Sequence, residues 1–360
     1  MHSATASISP LLSAPHGTAL AAVSPACILV IRGGAIGDFV LTLPVLAVLR
    51  QRYPHARLVV LGHPHIAQLA QAGGLVDEVR SISLRALTPF FVRGGELAPE
   101  SASFFARFDL IVSYLYDPDG AFHENLARCS GAHLISGPQR PDETLPLHAT
   151  QSYLQPLEQL GIVGADPVPR LHVGSPARRR RESGTTPPTL ALHPGSGSQR
   201  KNWPEAKWGE LISHLLDETS LDLLLVGGEA EGPRLDRLAA GRPRWRLRLA
   251  RNLPLADLAR RLADCTAFVG HDSGISHLAS ALGLPGIVLW GESVEAVWRP
   301  RGERCVLLRD PRGLAELPVW RVLEALRWPT EGAGTPPGLG LGSEAGARLD
   351  PAPPRASDRR

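Results

Sequence analysis

Short apolar runs bounded by turn residues alternate, from residue 28 to residue 326, with stretches in which apolar positions recur every three or four residues. A continuous run of four or five apolar residues reads as a strand covered on both faces. Helical spacing between such runs supplies the crossovers that parallel strands require, so the pattern predicts parallel sheets clothed by helices. The first block has strands at 28–32, 57–61 and 109–114, with helices from about 38 to 52, near 65–72, around 121–129 and at 151–160. The second has strands at 189–192, 221–226, 267–270 and 286–290. Its helices are expected at 203–216, near 233–240, and at 254–263, 275–282 and 318–326. Pro44 falls inside the first helix and is expected to bend it or to mark where its regular part begins.

Two doubly wound, Rossmann-like α/β domains follow, facing one another across a cleft, at residues 27–165 and 189–328. Residues 166–188 have the Pro, Ser and Gly content of a linker and carry the run Arg178–Arg181, which reads as a solvated charge patch. Residues 1–26 and 329–360 lack periodic apolar positions and are read as a disordered leader and tail. The length of 360 residues suits two domains of this size.

Composition narrows the function classes. Net charge is only +3, with 43% hydrophobic residues; such weak basicity by itself argues for no polyanionic partner, and the composition excludes fibrous or wholly disordered classes. Four widely spaced cysteines form no C-x-x-C pair and are read as reduced thiols. His63 and His65 lack acidic or cysteine companions, so no metal is expected. No apolar stretch is long enough for a membrane helix and no secretory signal is visible; the protein is expected to be cytoplasmic.

Four segments carry candidate chemistry. Arg32-Gly-Gly34-Ala-Ile-Gly37-Asp38 joins the first strand to the first helix. Its glycines allow a tight turn and a close backbone approach. Arg32 stands where a dinucleotide fingerprint wants its first glycine, and no acid closes the second strand, so a nicotinamide site loses on both counts. Asp38 can cap the helix start or, as a carboxylate at the cleft, take a proton from a hydroxyl. The segment 193–204, His-Pro-Gly-Ser-Gly-Ser-Gln-Arg-Lys-Asn-Trp-Pro, sets Ser196, Arg200 and Lys201 in a loop fit for phosphate, without the nucleoside-triphosphatase pattern. Lys201 is one of only two lysines in the chain. In 269–285, Asp272, Ser273 and Gly274 open a helix whose N-terminus favours an anion, with His277 one turn in. Glu229 and Glu231 follow two glycines at a strand end, where an acid can hold ribose hydroxyls.

Together, the segments 28–50, 193–204 and 268–291, with weaker support from Trp298-Arg-Pro-Arg-Gly302, resemble glycosyltransferase family 9, the heptosyltransferase family of lipopolysaccharide core assembly. The resemblance implies a GT-B architecture, an acceptor held mainly by the first domain and a nucleotide-sugar donor by the second. It further implies inverting, metal-independent transfer of a heptose-like sugar from a nucleoside-diphosphate donor to a lipopolysaccharide-core or other saccharide acceptor. No cofactor is implied beyond an ADP-heptose-like co-substrate, and no nucleic acid; contact with the inner membrane would be peripheral. On this likeness Asp38 is the general base, Gly34 and Gly37 shape its loop, and Ser196, Lys201, Asp272, Ser273, Gly274 and His277 hold the donor. Glu229 is the choice for the ribose acid, with Glu231 close behind. Ser273 replaces the usual threonine, Ser113 a common aspartate, and Glu292-Ser293 the usual Pro-Thr. The alternative is a non-catalytic nucleotide-sugar-binding protein on the same scaffold.

Overall fold

The computed structural model describes residues 24–326 except Ser83, residues 175–186 and Ala230. The expected leader and tail fall almost wholly outside the described residues, as does the arginine run. Two parallel sheets form the frame. The first contains β1 (Cys27–Arg32), β2 (Arg57–Gly62), β3 (Glu78–Ser81), β4 (Leu110–Ser113) and β5 (His133–Ser136), in the order β3-β2-β1-β4-β5. The second contains β6 (Thr189–Leu192), β7 (Asp222–Gly227), β8 (Leu247–Arg251), β9 (Ala267–His271), β10 (Gly286–Leu289) and β11 (Cys305–Leu308), in the order β11-β10-β9-β6-β7-β8. Both are doubly wound Rossmann-like arrangements, as the alternation predicts.

Four strands went unread in the sequence: β3, β5, β8 and β11. Each lies at an edge of its sheet. An edge strand is covered less completely and is kept short or charged, so Glu-Val-Arg-Ser and Leu-Arg-Leu-Ala-Arg show no apolar run. By contrast, every residue of β4, β9 and β10 is buried, and of β1 all but Cys27.

The predicted helix across Pro44 is two helices, Ile36–Val40 and Leu43–Arg52, with Pro44 in the first turn of the second. There its missing N–H costs nothing. The proline thus marks where the regular helix begins. The predicted helix at 151–160 is an α-helix, Ala149–Leu154, that tightens into a 3₁₀ turn over Gln155–Leu160.

In a doubly wound sheet the strand order reverses beside the first strand, and the loops leaving the carboxyl ends there diverge to leave a crevice. In the first sheet that point lies between β1 and β4, so the 33–38 loop opens onto it. In the second it lies between β6 and β9, which brings the 193–204 loop and Asp272–Gly274 together across the crevice. The domains are in contact well beyond these loops. Leu171 is buried with its side chain against Gly73 of the first domain, while its N–H bonds the Ala281 carbonyl of the second. His148 Nε2 meets the Arg299 carbonyl at 2.8 Å, and Arg301 reaches Gln151.

Candidate active site

Asp38 sits in the first turn of the Ile36–Val40 helix, at the carboxyl edge of the first sheet. Its Oδ2 accepts from the Ala35 N–H at 3.1 Å, so the capping role and the exposed carboxylate coexist. The side chain remains 31% exposed, enough for a hydroxyl to reach it. Gly34 has φ +92°, and a Cβ there would lie 2.9 Å from Asp38 Oδ2. Glycine is required on both counts.

The helix Gly274–Ala281 of the second domain starts against this turn. A Cβ on Gly274 would stand 2.7 Å from both the Gly37 N and the Ile36 Cβ; the two helix starts touch, with the Ile36 side chain resting on Gly274. His277, one turn in, packs its Cδ2 beneath Gly37. Burial depresses its pKa to about 4, against opposing pulls from Asp272 and Asp38. It is therefore a neutral imidazole at the domain boundary, within electrostatic reach of Asp38, Asp272 and Lys201.

On the donor side, Lys201 Nζ donates to Asp272 Oδ2 at 2.6 Å, with the carboxylate nearly buried and the lysine 41% exposed. An ammonium has three donors, so this pairing leaves capacity for a phosphate. The Ser293 hydroxyl donates to the same Asp272 oxygen, and Glu292 pairs with Arg200. The two residues that depart from the usual Pro-Thr thus tie the loop after β10 to the phosphate loop. Ser196 is spent on shaping that loop: its hydroxyl bonds the Ser198 carbonyl and Asn202 Oδ1, each at 2.7 Å. Ser273 begins the helix with its hydroxyl 3.4 Å from His193 Nδ1.

Sequence reading missed a buried histidine pair beneath the cradle. His271 Nε2 accepts from the Trp203 N–H at 2.8 Å, and its Nδ1 faces the Gly195 carbonyl at 3.1 Å. A backbone N–H only donates and a carbonyl only accepts, so the ring is neutral with its proton on Nδ1. Burial lowers His271 to about 4 and His193 to about 3. His271 holds the phosphate loop from below, and His193 faces the Ser273 hydroxyl, neither adding charge. Arg234 was missed as well; it donates to the Pro194 carbonyl at 2.6 Å.

The two candidate ribose acids are placed differently. Glu229 is exposed, and its side chain has no polar partner among the described residues. Glu231 accepts from the Gly228 N–H at 2.9 Å and lies across Gly195, where a Cβ would collide with it. A cleft of about 210 Å³ opens beside it, lined by Ser198, Asn202, Glu231 and Arg234 among others. Elsewhere, His63 and His65 hold their rings 5.8 Å apart, and no cluster of three or more metal-binding side chains occurs among the described residues. No helix among them is long and apolar enough to cross a membrane.

Comparison with known proteins adds to this geometry. Residues 141–316 match the model of glycosyltransferase family 9 (heptosyltransferase). Lipopolysaccharide heptosyltransferase 1 of Pseudomonas aeruginosa is 39% identical over 107 residues, 29% of each chain. Lipopolysaccharide heptosyltransferase 3 of Escherichia coli is 24% identical over 291 residues, 75% of this chain and 84% of the relative. The matches to the first curated relatives span about a third of those relatives' length, 28–39%. Among solved structures, the ADP-heptose lipopolysaccharide heptosyltransferase II of E. coli superposes with a TM-score of 0.66 at 19% identity, over 82% of this chain and 96% of that one. A glycosyltransferase family 9 protein from Veillonella parvula gives 0.65 at 18% identity, over 83% and 95%. At such identities the likeness is one of fold, and that fold is GT-B.

Proposed function

We propose that the chain, whose residues 141–316 match the glycosyltransferase family 9 model, transfers a heptose-like sugar from a nucleoside-diphosphate donor to a lipopolysaccharide-core or other saccharide acceptor, with inversion. The observation that carries the proposal is the approach of the two helix starts. It brings the turn that carries Asp38 in one domain against the Ser273-Gly274 helix start of the other.

In this reading Asp38 takes the proton from the acceptor hydroxyl as its oxygen forms a bond to the anomeric carbon. The bond from that carbon to the diphosphate breaks on the opposite face, and the electron pair leaves with the nucleoside diphosphate. Negative charge then grows on the β-phosphate, where Lys201 and the helix N-terminus stabilise it. A preorganised donor contributes about 3 kcal/mol to such a step where water is excluded; Lys201, 41% exposed, contributes less than that unless the bound donor covers it. Neutral His277 lines the gap without repelling the cationic character that develops on the sugar. Glu231 is the better placed acid for the ribose. The reaction needs no resident cofactor in this scheme, and we place it at the cytoplasmic face of a membrane that carries the acceptor.

The test is mass spectrometry of products after incubation with ADP-, GDP- and UDP-sugars and lipopolysaccharide-core acceptors. Asp38→Asn should lower transfer by about 10²- to 10⁴-fold while leaving ADP binding intact. Unchanged transfer in a folded Asp38→Asn protein removes the proposed base. ADP binding with no transfer to any acceptor favours a binding protein instead.

A further inference from the structure

We propose that Arg32 is a positioning residue for Asp38: a buried guanidinium that holds the carboxylate at the gap. The inference rests on the reading of Asp38 as the base. Arg32 closes β1 after the apolar run Ile28–Ile31 and is only 2% exposed. Its charge cannot be shed, because a guanidinium stays protonated under all ordinary conditions. A buried fixed charge is costly unless a counter-charge and hydrogen bonds surround it.

The described residues offer Arg32 one carboxylate within 4.0 Å, and it is Asp38: Nη2 lies 3.7 Å from Oδ1. The same nitrogen donates to the Asp38 backbone carbonyl at 3.3 Å. Nη1 donates to the Gln139 carbonyl at 2.8 Å, which anchors the other arm of the fork. Two aromatic faces flank the cation, Tyr153 with its centroid 4.4 Å away and Tyr114 at 5.6 Å. Meanwhile Asp38 Oδ2 is held by the Ala35 N–H. One carboxylate oxygen is thus fixed by backbone and the other lies in the field of Arg32, which leaves the side chain few rotamers.

One detail argues for a functional origin. Arg32 Nε is buried without a hydrogen-bond partner that meets ordinary geometry among the described residues, and its neighbour, the buried Tyr153 hydroxyl, interacts with the guanidinium itself. A site selected for stability alone would not retain such a poorly satisfied, unneutralisable charge, since an apolar substitute of the same shape is often neutral or better. Such a cost is common where a reactive group has to be held in place. Arg32 is too enclosed to touch substrate, so its action passes through Asp38.

The experiment compares Arg32→Met, Arg32→Lys and Arg32→Ala with Asp38→Asn in the full chain, reading kcat, donor KM, ADP affinity and thermal unfolding. The proposal expects Arg32→Met to lower kcat about 10- to 100-fold with donor KM and ADP affinity within about twofold of wild type. Arg32→Lys should recover part of the loss, and free guanidinium ion should restore turnover to Arg32→Ala in a saturable way. Wild-type kcat in a folded Arg32→Met protein overturns the proposal, as does a loss of kcat matched by a loss of ADP affinity. If Arg32→Met does not fold, Arg32→Lys and guanidinium rescue decide: an Arg32→Ala protein that folds but gains nothing from guanidinium counts against it. The Asp38→Asn arm separates the two failures. Full activity there sinks the base assignment, whereas an inactive Asp38→Asn beside a fully active Arg32→Met sinks only the role of Arg32.

Discussion

Gly274→Ala isolates the approach of the two domains from the rest of the site. Gly274 opens its helix with φ outside the left-handed range, so alanine adopts the same backbone without strain and favours the helix by up to about 1 kcal/mol. Its methyl, however, would sit 2.7 Å from the Gly37 N and the Ile36 Cβ and 3.0 Å from the Ile36 Cγ2. Non-bonded carbons rest about 3.5–4.0 Å apart, so the helix starts have to part by about 1 Å. A displacement of that size at a reacting centre costs about 100-fold in rate, or about 2.7 kcal/mol of barrier. That is within the range overpacking costs elsewhere. Single-turnover transfer should therefore slow about 100-fold. ADP affinity by calorimetry should change little, because the methyl points at the other domain and away from the free N–H groups. The melting temperature should fall by the equivalent of about 1–3 kcal/mol of overpacking, because one apolar cluster joins the domains through these helices, with Val40 and Leu41 on one side and Leu278 and Ala281 on the other. Wild-type single-turnover rates in Gly274→Ala would refute the idea that the helix starts meet at this distance during the reaction.

Three further outcomes follow from the same site. Lys201→Ala removes the cation paired with nearly buried Asp272; ADP affinity should fall about 10- to 100-fold, the value of a hydrogen bond to a charged group, and an unchanged calorimetric titration would remove Lys201 from the cradle. Glu231→Ala should weaken ADP binding more than Glu229→Ala, because only Glu231 lies against the phosphate loop; the reverse order would restore Glu229 as the ribose acid. His193, His271 and His277 fold with pKa values near 3, 4 and 4, below the roughly 6.5 of an unfolded histidine. Between those values the unfolded chain binds protons that the folded one refuses. Stability is therefore complete above about pH 7 and declines as pH falls toward about 4, at up to about 1.4 kcal/mol per pH unit for each histidine. Urea unfolding that gives equal stability at about pH 7 and about pH 5 would contradict the buried neutral rings.

The sequence alone determined the central strands and the order of the loops that carry the candidate chemistry, because these signals are local. A fully buried strand must be apolar along its length, a glycine-rich strand-to-helix turn has few other uses, and Pro44 restricts its own neighbourhood. Three of the four edge strands escaped notice for the converse reason: β3, β5 and β8 shorten or break their apolar run with charged or polar residues, whereas β11, Cys-Val-Leu-Leu, carries a short continuous run that the reading passed over. What only the tertiary structure decided is which distant residues share a surface. Ser293 with Asp272, His271 with Trp203, Gly274 with Gly37, and Arg32 beneath Asp38 are each products of the packing of separate elements. Arg32 shows the difference most plainly. In the chain it is a charge at the end of a strand; its burial, its aromatic flanks and its contact with the Asp38 carboxylate exist only once residues near 114, 139 and 153 fold over it.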